Sequence, residues 1–198
     1  MMKTQNLENN GGFSLVELIV TMAILAIAGA AMIGFLAFCF SHYRKSSDET
    51  NLQYESQLCF NRLKEQILQT TNGIWVSADG KRLELYGYDE SGSQKKKTLY
   101  SLLEEKQQIT YQEYIYSEGT WVPEGDTECF ASLVKDWNVK VLDKEGNILD
   151  TDLTDTPRPA QVMINVWMQA GERTYEAEER LTLRNEIKAT TEVGTLYQ

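Results

Sequence analysis

The sequence predicts an α+β protein. One long N-terminal helix, transmembrane in its first half and amphipathic in its second, packs on an antiparallel β-sheet domain. Three observations carry this. Between Leu18 and Phe40 there is no charged residue, and Thr21 is the only polar side chain. As a helix that run measures about 35 Å, enough for a hydrocarbon core of about 30 Å. From Ser41 to about Thr70, Leu52, Cys59, Leu63 and Ile67 recur at helical spacing, with Leu58, Phe60 and Leu68 widening the stripe. Beyond residue 73 the apolar residues alternate in strand fashion between turns rich in glycine.

The domains follow in order: residues 1–12 a polar leader, 13–40 the membrane half of the helix, 41–72 its amphipathic half, 73–187 a β-rich globular domain, and 188–198 a flexible tail. A length of 198 residues suits one modest domain plus a helix. The formal net charge is −10, and residues 1–40 hold only Lys3, Glu8 and Glu17, so the acidity belongs to the later domain. Such a domain repels phosphate backbones, and no nucleic-acid partner is expected. The one dense basic run, Lys95-Lys96-Lys97, reads as part of a solvated loop over residues 87–97.

Three readings compete for the N-terminus. A secretory signal would be cut at Ala26-Ile27-Ala28, yet the apolar run continues past Ala28 and Glu17 would fall inside the apolar region. A plain membrane anchor explains the span but not an acid one residue before it, five residues past a Gly-Gly pair. The third reading takes the features together. The segment Gly11-Gly12-Phe13-Ser14-Leu15-Val16-Glu17-Leu18-Ile19-Val20 resembles the signal of type IV prepilins and pseudopilins. The resemblance implies cleavage by a prepilin peptidase between Gly12 and Phe13, and N-methylation of Phe13. It implies that Glu17 neutralises the new amine of a neighbouring subunit. Physical chemistry agrees: glycine lies extended in a tight cleft, and an acid and an amine in an apolar bundle are each costly unless paired.

The same resemblance implies the remaining partners: other pilins or pseudopilins, an inner-membrane assembly platform, and the cytoplasmic membrane. It places the N-terminus in the cytoplasm and the C-terminal domain outside it, first in the membrane and then in a surface or periplasmic filament. The flanking charges do not argue for that orientation by themselves: Lys3 precedes the span, and His42, Arg44 and Lys45 follow it. A long domain, however, translocates largely regardless of charge. The helix has no proline, and Gly29 and Gly34 are its only weakening positions.

After the helix, Asn72-Gly73 reads as its stop, with Gly73 as the left-handed cap. Residues 74–76 and 82–86 flank Asp79-Gly80 as a hairpin; 108–116 and 120–122 flank Glu118-Gly119 as a second. Leu99–Glu105 fits a short helix or a strand, and Cys129–Val134 a helical turn. Residues 137–142 and 148–149 read as a third hairpin, followed by a loop through Pro157 and Pro159. Val162, Ile164, Val166 and Met168 then alternate through a strand, and Gly171 turns into another over 173–183. A late proline, a strand, a Gly turn, a strand and a closing Leu183-Arg184-Asn185 resemble the J-type minor pseudopilins and related competence and pilus minor subunits.

No catalytic constellation is present, and no enzyme activity or cofactor is expected. His42, the only histidine, sits beside the membrane run, and zinc spacings, a P-loop and a dinucleotide fingerprint are absent from the sequence. Asp150, Asp152 and Asp155 read as a solvated acidic loop rather than a Ca²⁺ loop. Of three cysteines, Cys59 and Cys129 read as two buried thiols, with a disulfide between them as the alternative outside the cytoplasm. The expected role is a structural minor subunit of a secretion, DNA-uptake or pilus filament, near its tip. The alternative is a membrane-anchored extracytoplasmic binding module that never polymerises.

Overall fold

The computed structural model describes residues 14–89, 91–151, 158–184 and 188–189. The chain divides into two compact units, residues 1–46 and 47–198. One helix, α1 (Leu15–Gln69), contains both the apolar run and the amphipathic stripe. Its start follows from local chemistry. The Ser14 hydroxyl accepts the Glu17 N–H at 3.2 Å, and the Ser14 carbonyl accepts the Leu18 N–H at 3.1 Å. Ser14 and Glu17 therefore have the Ser-x-x-Glu spacing of a capping box, with the acid at the positive end of the helix dipole.

In the second unit α1 buries Leu52, Ser56, Cys59, Phe60, Leu63 and Ile67. The helix ends without a glycine cap. Instead Thr70 donates its N–H to the Ile67 carbonyl at 3.2 Å and its hydroxyl to the Gln66 carbonyl at 3.0 Å. Gly73 does not take the left-handed conformation expected of it. It opens the first strand, paired with Tyr86 and Lys188, because Thr70 already satisfies the helix end.

Among the described residues nine strands follow: β1 (Gly73–Val76), β2 (Arg82–Tyr88), β3 (Lys95–Leu103), β4 (Gln108–Ser117), β5 (Thr120–Ala131), β6 (Val134–Leu142), β7 (Gln161–Ala170), β8 (Arg173–Thr182) and β9 (Lys188–Ala189). They form two sheets, of order β5-β4-β3-β2-β1-β9 and β6-β7-β8. Every pairing is antiparallel except β1 with β9. One core joins the α1 stripe to Leu83, Tyr100 and Ile109 of the large sheet and to Trp137, Val139, Ile164 and Val166 of the small one. The sheets are also tied through backbone: the Val139 N–H donates to the Gly80 carbonyl at 3.0 Å. Gly80 has φ +71°, and a Cβ there would collide with the Asn138 side chain, so the β1–β2 turn needs glycine on both counts.

Several expectations are corrected. Residues 87–97 are not all loop: β2 runs on to Tyr88 and β3 begins at Lys95, because the lysines have cross-strand partners. Lys96 pairs with Glu113 at 2.8 Å, and Lys97 pairs with Glu84 at 3.5 Å while lying over the Tyr114 ring. Residues 129–134 hold no helical turn; they end β5 and start β6. The hairpin expected at 137–149 forms but is short: Leu142 bridges Ile148, the Asp143 N–H donates to the Asn147 carbonyl at 3.0 Å and the Leu149 N–H to the Val141 carbonyl at 2.8 Å, while the other edge of β6 pairs with β7. Lys188 and Ala189 are not frayed but pair with Gly73 and Ile74. The alternation over 162–168 is borne out: Val162, Ile164, Val166 and Met168 are all fully buried.

Candidate functional site

Of the residues singled out for processing and assembly, Glu17 is the one that falls among the described residues. Gly12 and Phe13 lie outside the described residues. Glu17 lies in the first turn of α1, exposed, with its backbone N–H on Ser14. Its carboxylate has no ion-pair partner within the chain among the described residues. Only the Ser14 half of the capping box is formed: the Glu17 N–H is held by the Ser14 hydroxyl, which leaves the carboxylate itself uncommitted within the described residues. One turn on, the Thr21 hydroxyl is turned back onto the helix, 2.9 Å from the carbonyls of both Glu17 and Leu18. The one polar side chain of the apolar run is thereby satisfied internally, as a lipid environment requires.

The flanks of this helix half are uniformly apolar and uncovered. Leu15, Val16, Leu25, Ile27, Met32, Ile33 and Phe35 are each exposed, and none of the membrane-length window is buried. A surface of this kind is stable only in lipid or against other apolar helices. A Cβ built at Gly29 or Gly34 would meet nothing within 4 Å, so neither glycine is required by packing inside the chain.

The cysteines are all free thiols: Cys39 and Cys129 are exposed and Cys59 is buried. The expectation of two buried thiols therefore fails for Cys129, and the Cys59–Cys129 disulfide is not formed. The sheet explains both. Cys59 faces the core from α1, on the side where Ile109 is fully buried. Cys129 pairs with Thr110, the next residue along β4, and so points to the other face. Burial pushes the Cys59 thiol up to about 12, which leaves it unreactive at neutral pH. In the folded chain, maleimide is expected to label Cys129 while sparing Cys59 until denaturant is added. Equal labelling of both in the native state would contradict this placement, and it is read by mass spectrometry of the peptides.

The acidic loop is only partly in view. Asp152 and Asp155 lie outside the described residues, and Asp150 is exposed. Its neighbour Thr151 is buried and has a structural role that sequence reasoning missed. Its hydroxyl donates to the Val76 carbonyl at 2.7 Å and accepts the Val76 N–H at 3.0 Å, closing the edge of β1 beyond β9.

A long N-terminal helix packed against antiparallel sheets is consistent with a pilin-like fold. The family model for the prokaryotic N-terminal methylation motif matches residues 8–33, a stretch that includes Gly12, Phe13 and Glu17. No curated protein matches the chain. Motif and helix together support a type IV pilin- or pseudopilin-type subunit, and the apolar helix is consistent with membrane anchoring. The motif implies processing by prepilin peptidase and assembly with other pilins.

Proposed function

We propose that this chain is a minor pilin or pseudopilin, cut between Gly12 and Phe13, N-methylated on Phe13, and assembled at or near the tip of a type II secretion, competence or type IV pilus filament. The single observation carrying this reading is the methylation motif at the head of a helix whose apolar surface is uncovered. Cleavage converts the Phe13 amide into a positive amine. In the apolar bundle of a filament that amine needs a carboxylate, and Glu17 supplies one from a neighbouring helix. The pairing sets the axial stagger between subunits, because an unpaired charge in such a bundle is strongly unfavourable. The inner-membrane assembly platform then extracts the processed subunit into the filament, with the β-domain outside the cytoplasm.

The test separates charge from helix capping. Glu17→Gln keeps the Ser-x-x-Gln capping box and removes the carboxylate. Losing one partner of a desolvated pair costs about 3–5 kcal/mol, so incorporation into filaments is expected to fall by more than about a hundredfold while cleavage continues. Quantitative immunoblots of sheared filaments and of membranes read the two separately. Normal incorporation of the glutamine variant would defeat the pairing role.

A further inference from the structure

Two long strands lie at sheet edges: β5 closes the large sheet and β8 the small one. The two edges differ. β5 is guarded by Pro123, by Gly125 at φ +76° and by register shifts against β4. Each of these discourages another strand from pairing. β8 has none of them. Its ten residues contain neither proline nor glycine, and its ladder with β7 runs from Ala170 opposite Arg173 to Gln161 opposite Thr182 without a shift.

Neighbouring bonds fix which backbone groups of β8 are free. The Leu183 N–H donates to the Ala160 carbonyl at 2.9 Å, and on the far side of β7 the Gln169 N–H donates to the Leu133 carbonyl at 2.8 Å. Odd-numbered residues of β8 therefore turn their backbone groups to β7, and Thr174, Glu176, Glu178, Arg180 and Thr182 turn theirs away. These residues are exposed, and among the described residues no hydrogen bond reaches their outward N–H and C=O groups. The margin of the core ends at the same edge: Tyr175 and Ala177, on the inner side of β8, pack against the core but are only half-buried. What guards β8 is charge alone. Among the described residues Arg180 pairs with Glu178 at 3.2 Å, whereas Glu176 and Glu179 have no ion-pair partner.

We propose that β8 is a strand-addition site for an extended segment of a different polypeptide, basic on one face and apolar on the other. The backbone of that segment completes the outward hydrogen bonds of β8. Its basic side chains lie beside Glu176 and Glu178, and its apolar ones cover Tyr175 and Ala177. A second copy of this chain supplies no such segment. In the two antiparallel registers that overlap β8 most fully with itself, Glu176 meets Glu178 or Glu178 meets its own copy, and like charges directly opposite are destabilising. The edge of β5 is acidic as well, with Glu124, Asp126 and Glu128. The site belongs to the folded β-domain and needs neither cleavage at Gly12 nor filament assembly.

The experiment uses the full chain in neutral detergent micelles, titrated with a fluorescent peptide of alternating lysine and valine, about eight residues long. Saturable binding is expected, and the same residues in scrambled order are expected to bind at least about tenfold more weakly. Glu178→Pro removes an outward N–H that the fold does not use, and is expected to weaken binding at least about tenfold. Glu178→Thr loses the same charge but keeps the N–H, and is expected to stay within about threefold. Hydrogen exchange is read alongside. In the chain alone the Glu176, Glu178 and Arg180 amides are expected to exchange freely, and to become protected when the peptide is added. The Tyr175 and Ala177 amides, bonded to β7, are expected to stay protected throughout and in Glu178→Pro, which shows that the variant is folded. Absence of saturable binding overturns the proposal. Equal weakening by Glu178→Pro and Glu178→Thr also overturns it, because attraction to charge alone would then explain binding. Outward amides already protected in the chain alone would mean that the edge is covered by this chain itself, or by a second copy if dilution removes the protection, and either result overturns the assignment to a different polypeptide.

Discussion

Gly12→Leu is expected to leave the leader on the chain and to abolish filament incorporation, with membrane insertion unchanged. A peptidase that cuts beside a membrane must draw the scissile backbone into a narrow cleft, and glycine permits that because it has no Cβ. The effect does not stop at cleavage. Without the cut, Phe13 retains an amide, and no positive amine forms for a neighbour's Glu17. Each uncut subunit would then bring an unpaired carboxylate into an apolar bundle, at a cost of several kcal/mol. The leader itself, polar and containing Lys3 and Glu8, would have to enter the same apolar surroundings. The variant is therefore expected in the membrane fraction at full leader-bearing mass and absent from sheared filaments. A variant trimmed to the same length as the parent would remove Gly12 from the processing account.

Trp137→Ala is expected to produce the largest loss of stability from any single substitution in the β-domain. Trp137 is fully buried, the largest of the fully buried side chains, and lies on β6 where the small sheet meets the large one. Its indole N–H donates to the Lys81 carbonyl at 2.8 Å, tying β6 to the β1–β2 turn. Truncating a buried tryptophan costs about 3–5 kcal/mol, a large share of the 5–15 kcal/mol that holds a typical domain together. The Lys81 carbonyl is not orphaned by the change, because the Leu102 N–H also donates to it at 3.2 Å. Trp137→Phe separates the two contributions. It keeps most of the ring and loses the indole donor, so its cost is expected nearer 1–2 kcal/mol. Urea titration of the full chain in micelles, followed by circular dichroism, reads both. Equal, small losses in the two variants would mean that the two sheets do not share one core.

What the sequence disclosed and what it hid divide along a physical line. The span from Leu18 to Phe40 was legible because lipid imposes its requirement on every residue locally. The α1 stripe was legible because burial on one helix face recurs at fixed spacing, and Leu52, Cys59, Leu63 and Ile67 are all buried. The β7 alternation was legible for the same reason at period two. The lysine run misled because its stabilising partners are distant in sequence. Glu84 and Glu113 come from the strands on either side, and Trp121 from the far side of β4. A cation that lies flat between a carboxylate and aromatic rings has the composition of a loop and the environment of a strand. Gly73 misled because Thr70, three residues earlier, had already satisfied the helix end. The tail misled because β9 is only two residues long and pairs with a strand more than a hundred residues away. At the candidate site, the motif named Glu17 for assembly, while nothing local in the sequence marked the Thr151 hydroxyl, whose partner Val76 lies 75 residues earlier.

The central claim is that Gly12 ends a removable leader and that the helix beyond it is an assembly surface. Intact-mass and N-terminal peptide spectrometry of the mature chain, purified from cells that contain a prepilin peptidase, tests it most directly. The expected product is a chain that begins at Phe13 and carries one methyl group on its terminal nitrogen. A mature chain that begins anywhere else, or that keeps residues 1–12 in the presence of the peptidase, would contradict it.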